Sequence, residues 1–413
     1  MSTNLPDGPF AVGPRAFTRR EFAAVAGVAG LAAAAAPVFA QEAVQPAGPK
    51  IKLGVVGCGQ RGTFVSDLAK KHGGFELVAV ADYFQDRADA LGESHGVPAE
   101  RRFTGLDGYT RMLGAKPDAV AVMSPPFFHP AHVAASVEAG CHVYVAKPVA
   151  VDVSGCLSID ASAKRATEKK LCLLVDFQTR AQPFYREAVR LVHEGAIGDL
   201  VFGEAFYHCG QGSRQAGEGA EGRLRDWLFD KALSGDIITE QNIHALDVMN
   251  WVHRHPPLHA AGTGGRKVRL DVGDCWDNFT LHYQYPDNVG MTFSSRQFAG
   301  HGTMPEGIGC RVFGTKGVLE TSYGGTVMIR GLNFYRGGTT KQIYIEGVTN
   351  NIAAFFEAVR KGECANATVA PSVQSCLITI MGRKAAYTGQ RVTWDEILKD
   401  TERLDPRLEG LKA

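Results

Sequence analysis

Three groups of residues combine reactive types with informative spacing. Gly57-Cys58-Gly59-Gln60-Arg61-Gly62 is a G-x-G-x-x-G run. In such a run the first glycine permits a tight turn, the second lets backbone approach a pyrophosphate, and the third lets a helix pack on a strand. Gln60 and Arg61 stand where free N–H groups of a helix start would face phosphate. Asp82, twenty residues beyond Gly62, is placed to accept hydrogen bonds from an adenosine ribose. Its charge would repel a 2′-phosphate and so favours NAD, while Arg61 and Arg87 leave NADP open. Lys147 lies between an apolar run and Pro148, a position that sets it apart from a solvated surface lysine. Glu240 and His244 are four apart, which on one helix puts them on one face. A carboxylate beside an imidazole sets its tautomer and raises its basicity, as a general base for an alcohol proton requires.

These residues need elements to hold them. Ile51–Val56 reads as a short apolar strand running into the glycine turn, with a helix from Thr63 to Lys71. Further strands are expected at Glu76–Ala81, Ala119–Met123 and His142–Val145, and a last one ends at Val175-Asp176. Their alternation with helices predicts a doubly wound parallel sheet over residues 50–174, a Rossmann architecture of the α/β class. Ligands bind such sheets beyond the carboxyl ends of the strands. That places Ser124-Pro125, Ala146-Lys147-Pro148, Gln178 and Arg180 around the crevice. From residue 175 to 413 the pattern changes to period two, at Val201–Cys209, Asn278–Tyr285, Gly290–Gln297 and Gly309–Thr321. This predicts an α+β region with a mostly antiparallel, open-faced sheet, whose uncovered side suits a homo-oligomer contact. Asn350–Lys361 and Pro371–Thr388 read as helices packing back on the core, and Gly235–Asp247 as the start of a helix carrying Glu240 and His244.

The chain of 413 residues has 44 Lys plus Arg against 43 Asp plus Glu, a net charge of +1. Nothing in that balance suggests a nucleic-acid partner. The nine cysteines show no C-x-x-C spacing, so no zinc knuckle or disulfide framework is expected, and the odd count points to folding in a reducing compartment. The His-rich stretch Trp251–His259 contains two prolines and reads as an exposed turn without a metal. At the other end, Thr18-Arg19-Arg20-Glu21-Phe22, an Ala/Gly/Val/Leu run over Ala23–Ala36, and Val38-Phe39-Ala40 resemble a twin-arginine signal peptide spanning 1–40, with a leader at 41–49. The expectation is a periplasmic or otherwise exported protein, folded before export and left without a membrane anchor once the signal is cleaved.

Ser124-Pro125-Pro126-Phe127-Phe128-His129, followed by Glu138-Ala139-Gly140-Cys141-His142-Val143-Tyr144-Val145-Ala146-Lys147-Pro148, is similar to the T-P-N-x-x-H and A-G-K-H-V-x-x-E-K-P stretch of the Gfo/Idh/MocA oxidoreductases. Pro126 and Ala146 depart from that pattern, standing where the family usually has Asn and Glu. The resemblance implies that Lys147 is the catalytic lysine, touching both the substrate hydroxyl and the cofactor ribose, that Ser124, Pro125 and His129 belong to the cofactor site, and that the Lys147–Pro148 bond is cis. Glu240 and His244 resemble the family's D-x-x-x-H pair, with His244 the acid/base and Glu240 its orienter or a substrate-hydroxyl acceptor. Arg225 and Trp227 are candidates for lining a sugar pocket with Arg180. The implied activity is NAD(P)-dependent hydride transfer from a sugar, polyol, cyclitol or glycoside hydroxyl, with tightly bound cofactor. The alternative is a redox-neutral glycosidase working by transient oxidation, elimination and re-reduction, as in glycoside hydrolase family 109, which typically lacks the lysine of the A-K-P position.

Overall fold

The computed structural model describes residues 48–212, 214 and 219–413; Thr18–Phe22 and the rest of the expected signal lie outside them. Six strands, β1 (Ile51–Val56), β2 (Phe75–Asp82), β3 (Arg102–Thr104), β4 (Ala119–Val122), β5 (His142–Ala146) and β6 (Leu173–Asp176), form one sheet in the order β3-β2-β1-β4-β5-β6. Every pairing in it is parallel. With helices on both faces, such a strand has no wet side, and β4 is buried at all four positions. Strand order reverses between β1 and β4, which opens the crevice beside the glycine turn. The helix Gln60–His72 ends as helices prefer, with Lys70, Lys71 and His72 in its last turn and Gly73 in the left-handed conformation. Its start carries no acidic side chain and no side-chain cap, so the first N–H groups are left for an anion.

The second sheet contains β7 (Leu200–Cys209), β8 (His259–Gly265), β9 (Asn278–Gln284), β10 (Gly290–Gln297), β11 (Gly307–Gly314), β12 (Gly317–Tyr323), β13 (Thr326–Gly331), β14 (Tyr335–Thr339) and β15 (Val392–Thr393). Its order is β14-β13-β12-β11-β7-β10-β9-β8-β15, antiparallel throughout except for β7 with β10. The expected single strand Gly309–Thr321 is two strands. Thr315 and Lys316 turn the chain, and their N–H groups bond the carbonyls of Asp199 and Ile197. Alternation is strict: Ala205, Leu281, Met291 and Phe293 are buried, while Phe206, His208, Thr280, His282, Thr292 and Ser294 line an open concavity on the other face.

Two long helices, Ile343–Lys361 and Val369–Thr388, start earlier than their sequence pattern suggested. Pro371 falls in the first turn of the second, where no N–H is needed. That helix packs on both β8 and the Val153–Glu168 helix of the first half, which ties the two sheets together. The expected helix through Gly235–Asp247 is broken into Ile237–Glu240 and Ile243–His253.

Candidate active site

The glycine turn separates what the fold needs from what it leaves over. Gly57 has φ +92°, and a Cβ there would lie 2.5 Å from the Ser124 nitrogen. A Cβ on Gly62 would lie 1.9 Å from the Gly57 carbonyl oxygen. Both positions are therefore glycine for the protein's own packing. Gly59 is not: its φ is −71°, and a Cβ would meet only an Arg87 nitrogen at 3.8 Å. An open backbone position at an uncapped helix start is what a pyrophosphate requires, so these residues fit a dinucleotide.

Asp82 ends β2 and takes backbone N–H groups on both oxygens, from Cys58 at 2.7 Å and Phe84 at 2.9 Å. Burial pushes its pKa up, against the pull of those two donors. Gly57, Asp82, Tyr83, Phe84, Arg87, Ser124, Pro125 and Leu224 line an open cleft beside the glycine turn. Ser124 is fixed there by a 2.9 Å hydrogen bond to His132, whose pKa burial pushes down to about 3.

Several expected ligand contacts serve other purposes. His129 is 1% exposed and does not line the cleft; its ring lies between the carbonyls of Ser124 (2.7 Å) and Pro148 (2.8 Å), joining the β4 loop to the cis Lys147–Pro148 bond. Burial pushes its pKa down to about 4, so the neutral ring donates to one of the two. Arg61 turns away from Asp82 and bonds Asp176 at the end of β6, beneath the Tyr344 ring 5.0 Å away. Arg180 makes a bidentate pair with the fully buried Asp247 at 2.8–3.0 Å and so acts as a structural clamp. Arg225, expected at a sugar pocket, bonds Asp86 at 2.9 and 3.2 Å and covers Phe84, 3.8 Å from the ring centre, beside Asp82. Trp227 packs in the same Phe84–Leu224–Leu233 cluster.

At the ends of β5 and β6 lie the reactive groups. The Lys147 ammonium donates to the Glu240 carboxylate at 2.9 Å and to the Glu240 carbonyl. Both side chains are 14% exposed. Glu240 is thus the partner of the lysine. The break at Gln241-Asn242 takes it off the face that carries His244, so the expected carboxylate–imidazole hydrogen bond is not formed. His244 is buried and its Nδ1 has no hydrogen-bond partner. Burial, then the positive charges of Lys147 and Arg61, holds its pKa well below the ordinary histidine range. Gln178 is 1% exposed, with Gly347 packed against it and its Oε1 unpartnered. Each of these two residues thus keeps one buried side-chain polar atom without a protein partner.

Sequence reasoning passed over Tyr207 and Tyr323. The Tyr323 ring centre lies 5.3 Å from that of His244. Tyr207 sits near Glu240, and burial, then the neighbouring Cys209 and Glu240, pushes its pKa up. Tyr207 has the same strand parity as the buried Ala205, a sign that it faces inward, but parity does not reveal what it meets there. Among the described residues no group of His, Cys, Asp and Glu is arranged to hold a metal, and no helix is long and apolar enough to cross a membrane.

Residues 51–177 match the family model described as an oxidoreductase family with an NAD-binding Rossmann fold, and residues 185–320 match the GFO/IDH/MocA C-terminal domain. An inositol 2-dehydrogenase of Saccharopolyspora erythraea is 33% identical over 199 residues, 46% of this chain and 56% of that protein. The chain spans little more than half the length of the first curated relatives it matches. The structure of GenD2 from gentamicin A biosynthesis in complex with NAD superposes with a TM-score of 0.67 at 18% identity, covering 85% of this chain and 99% of that one. Myo-inositol 2-dehydrogenase from Lactobacillus plantarum gives 0.66 at 20% identity, covering 83% and 99%. Two models of one family between them match more than half of the sequence, and this chain belongs to the Gfo/Idh/MocA oxidoreductases.

Proposed function

We propose that the protein is an NAD-dependent dehydrogenase acting on a secondary hydroxyl of a cyclitol or sugar. The observation that carries this reading is the Lys147–Glu240 pair beside a buried His244, whose pKa is depressed by burial and then by Lys147 and Arg61, in a chain whose Gly59 is left open. When bound, the nicotinamide supplies the hydride acceptor. His244, kept neutral, takes the hydroxyl proton. Lys147 donates a hydrogen bond to the oxygen as negative charge develops there, a role whose strength rests on being pre-positioned. Glu240 holds that ammonium in place and is free to accept from a neighbouring substrate hydroxyl. The names of the curated relatives favour net oxidation of a cyclitol over redox-neutral glycoside cleavage. Twin-arginine export, a tightly held cofactor and oligomer contact through the open face of the second sheet complete the reading; fractionation, cofactor release on denaturation and light scattering test them in turn.

The deciding experiment loads the protein with NAD and presents inositols, aldoses and acyclic polyols. Reduction of the nicotinamide with formation of the corresponding ketone is expected for at least one ring polyol; inertness towards the whole panel contradicts the assignment. The pH profile adds a second check. Because the base works neutral and its pKa is depressed, kcat/KM should hold constant as pH falls through about 6.5, the ordinary histidine value, and decline only below it. An acid limb at or above that value would remove His244 from the role.

A further inference from the structure

Two sulfur pairs lie outside the site. Cys172, at the entry to β6, and Cys364, in the turn after the Ile343–Lys361 helix, are 192 residues apart in sequence, yet their Sγ atoms are 3.5 Å apart. Hydrogen bonds that do not involve sulfur set their backbones. Asn366 accepts from the Leu173 N–H at 2.7 Å and donates to the Leu171 carbonyl at 3.2 Å. Thr368 accepts from the Val175 N–H at 3.0 Å, and Thr167 donates to the Cys364 carbonyl at 3.1 Å. A disulfide needs sulfurs about 2.05 Å apart, so closure requires a shift of roughly 1.5 Å, with release of the 3.2 Å hydrogen bond from the Cys172 thiol to the Glu363 carbonyl. The second pair, Cys156 and Cys376, also interacts, but both residues are fully buried, whereas Cys364 is partly exposed.

We propose that Cys172 and Cys364 are a disulfide site of the folded protein, open to a small disulfide oxidant, while Cys156 and Cys376 stay reduced. The partly exposed Cys364 thiolate attacks one sulfur of the oxidant, forming a mixed disulfide and expelling one thiol. Cys172 then loses its proton and attacks the Cys364 sulfur, expelling the second thiol. Two protein thiols give up two electrons and two protons, and the oxidant's disulfide becomes two thiols. Burial, with the Cys364 contact, pushes the Cys172 thiol up to about 12, so the second step is the slow one. The bond would fasten β6 to the helix whose Asn351 donates to Asp176 and whose Gly347 packs on Gln178. Because the enclosed loop is long, Tm should rise by on the order of 5 °C.

The test takes the full chain, reduced and desalted, incubates it with oxidised glutathione, traps free thiols by alkylation and maps the peptides by mass spectrometry. The expected result is a Cys172–Cys364 linked peptide, with Cys156 and Cys376 alkylated after denaturation and a Tm gain that Cys364→Ser removes. A stable glutathione adduct on Cys364, two free thiols, or a Cys156–Cys376 link would overturn the proposal. Mapping of the unmodified chain decides the matter even where a serine variant folds poorly.

Discussion

At the glycine turn the phosphate-facing surface is backbone, an open glycine and an uncapped helix start, beside a carboxylate already shared between two N–H groups. At the reactive end it is buried charge, with Lys147 on Glu240, Arg61 on Asp176 and Arg180 on Asp247, all crossing between distant parts of the chain. The contrast fits what each end must do. A pyrophosphate needs donors that cost nothing to hold in place, and helix geometry provides them. A hydroxyl losing its proton needs a neutral base beside a cation, and both must be fixed by partners that the substrate does not displace.

The largest effect should follow from Lys147→Ala. Turnover should fall about 10³-fold through loss of charge stabilisation, while NAD affinity changes by less than about tenfold; equal losses in both would erase the distinction between the two ends. Next comes Arg180→Met, which strands the buried Asp247 and should lower stability by about 3–5 kcal/mol in denaturant unfolding. NAD affinity of the folded fraction should hold, and a direct loss of substrate binding without destabilisation would restore Arg180 to the substrate site. Gly59→Val should leave folding intact and weaken NAD binding about 100-fold, about 2.7 kcal/mol, by isothermal titration. Gly62→Ala, whose Cβ would strike a carbonyl, should instead fail to fold. Smallest is Arg225→Ala, expected to weaken NAD about fivefold, about 1 kcal/mol, with substrate KM unchanged; the reverse pattern would put Arg225 back beside the sugar.

The two ends also differ in how much of them can be read from the chain. Gly57, Gly59, Gly62 and Asp82 belong to one β–α–β unit, where spacing alone fixes geometry, and the strand run before them and the helix pattern after them supply the context. Five strands of the first sheet and β7, β9 and β10 of the second were legible for the same reason, since period two and period 3.6 are local properties, whereas β3, β8, β13, β14 and β15 were not anticipated. The turn inside Gly309–Thr321 was passed over although Gly314 and Gly317 bracket it; Thr315 and Lys316 at its tip dock on Asp199 and Ile197. Lys147 and His244 were singled out by motif. The ion pairs of Arg225 with Asp86 and Arg180 with Asp247 were not legible, because they depend on how distant segments pack. Glu240 is the sharpest case: the i, i+4 rule assumes a regular helix, but the hydrogen-bond ladder is interrupted at Gln241-Asn242 and the Glu240 carboxylate pairs with Lys147.

The account's centre is that these two ends form one site, cofactor held at the glycine turn and proton removed at His244. The most direct measurement compares the wild-type chain with His244→Ala, both saturated with NAD, for the rate at which the bound nicotinamide is reduced by the best ring polyol. The variant should bind NAD with wild-type affinity and reduce it at least about 100-fold more slowly. Reduction at the wild-type rate in the variant, or no NAD bound by either protein, would contradict it.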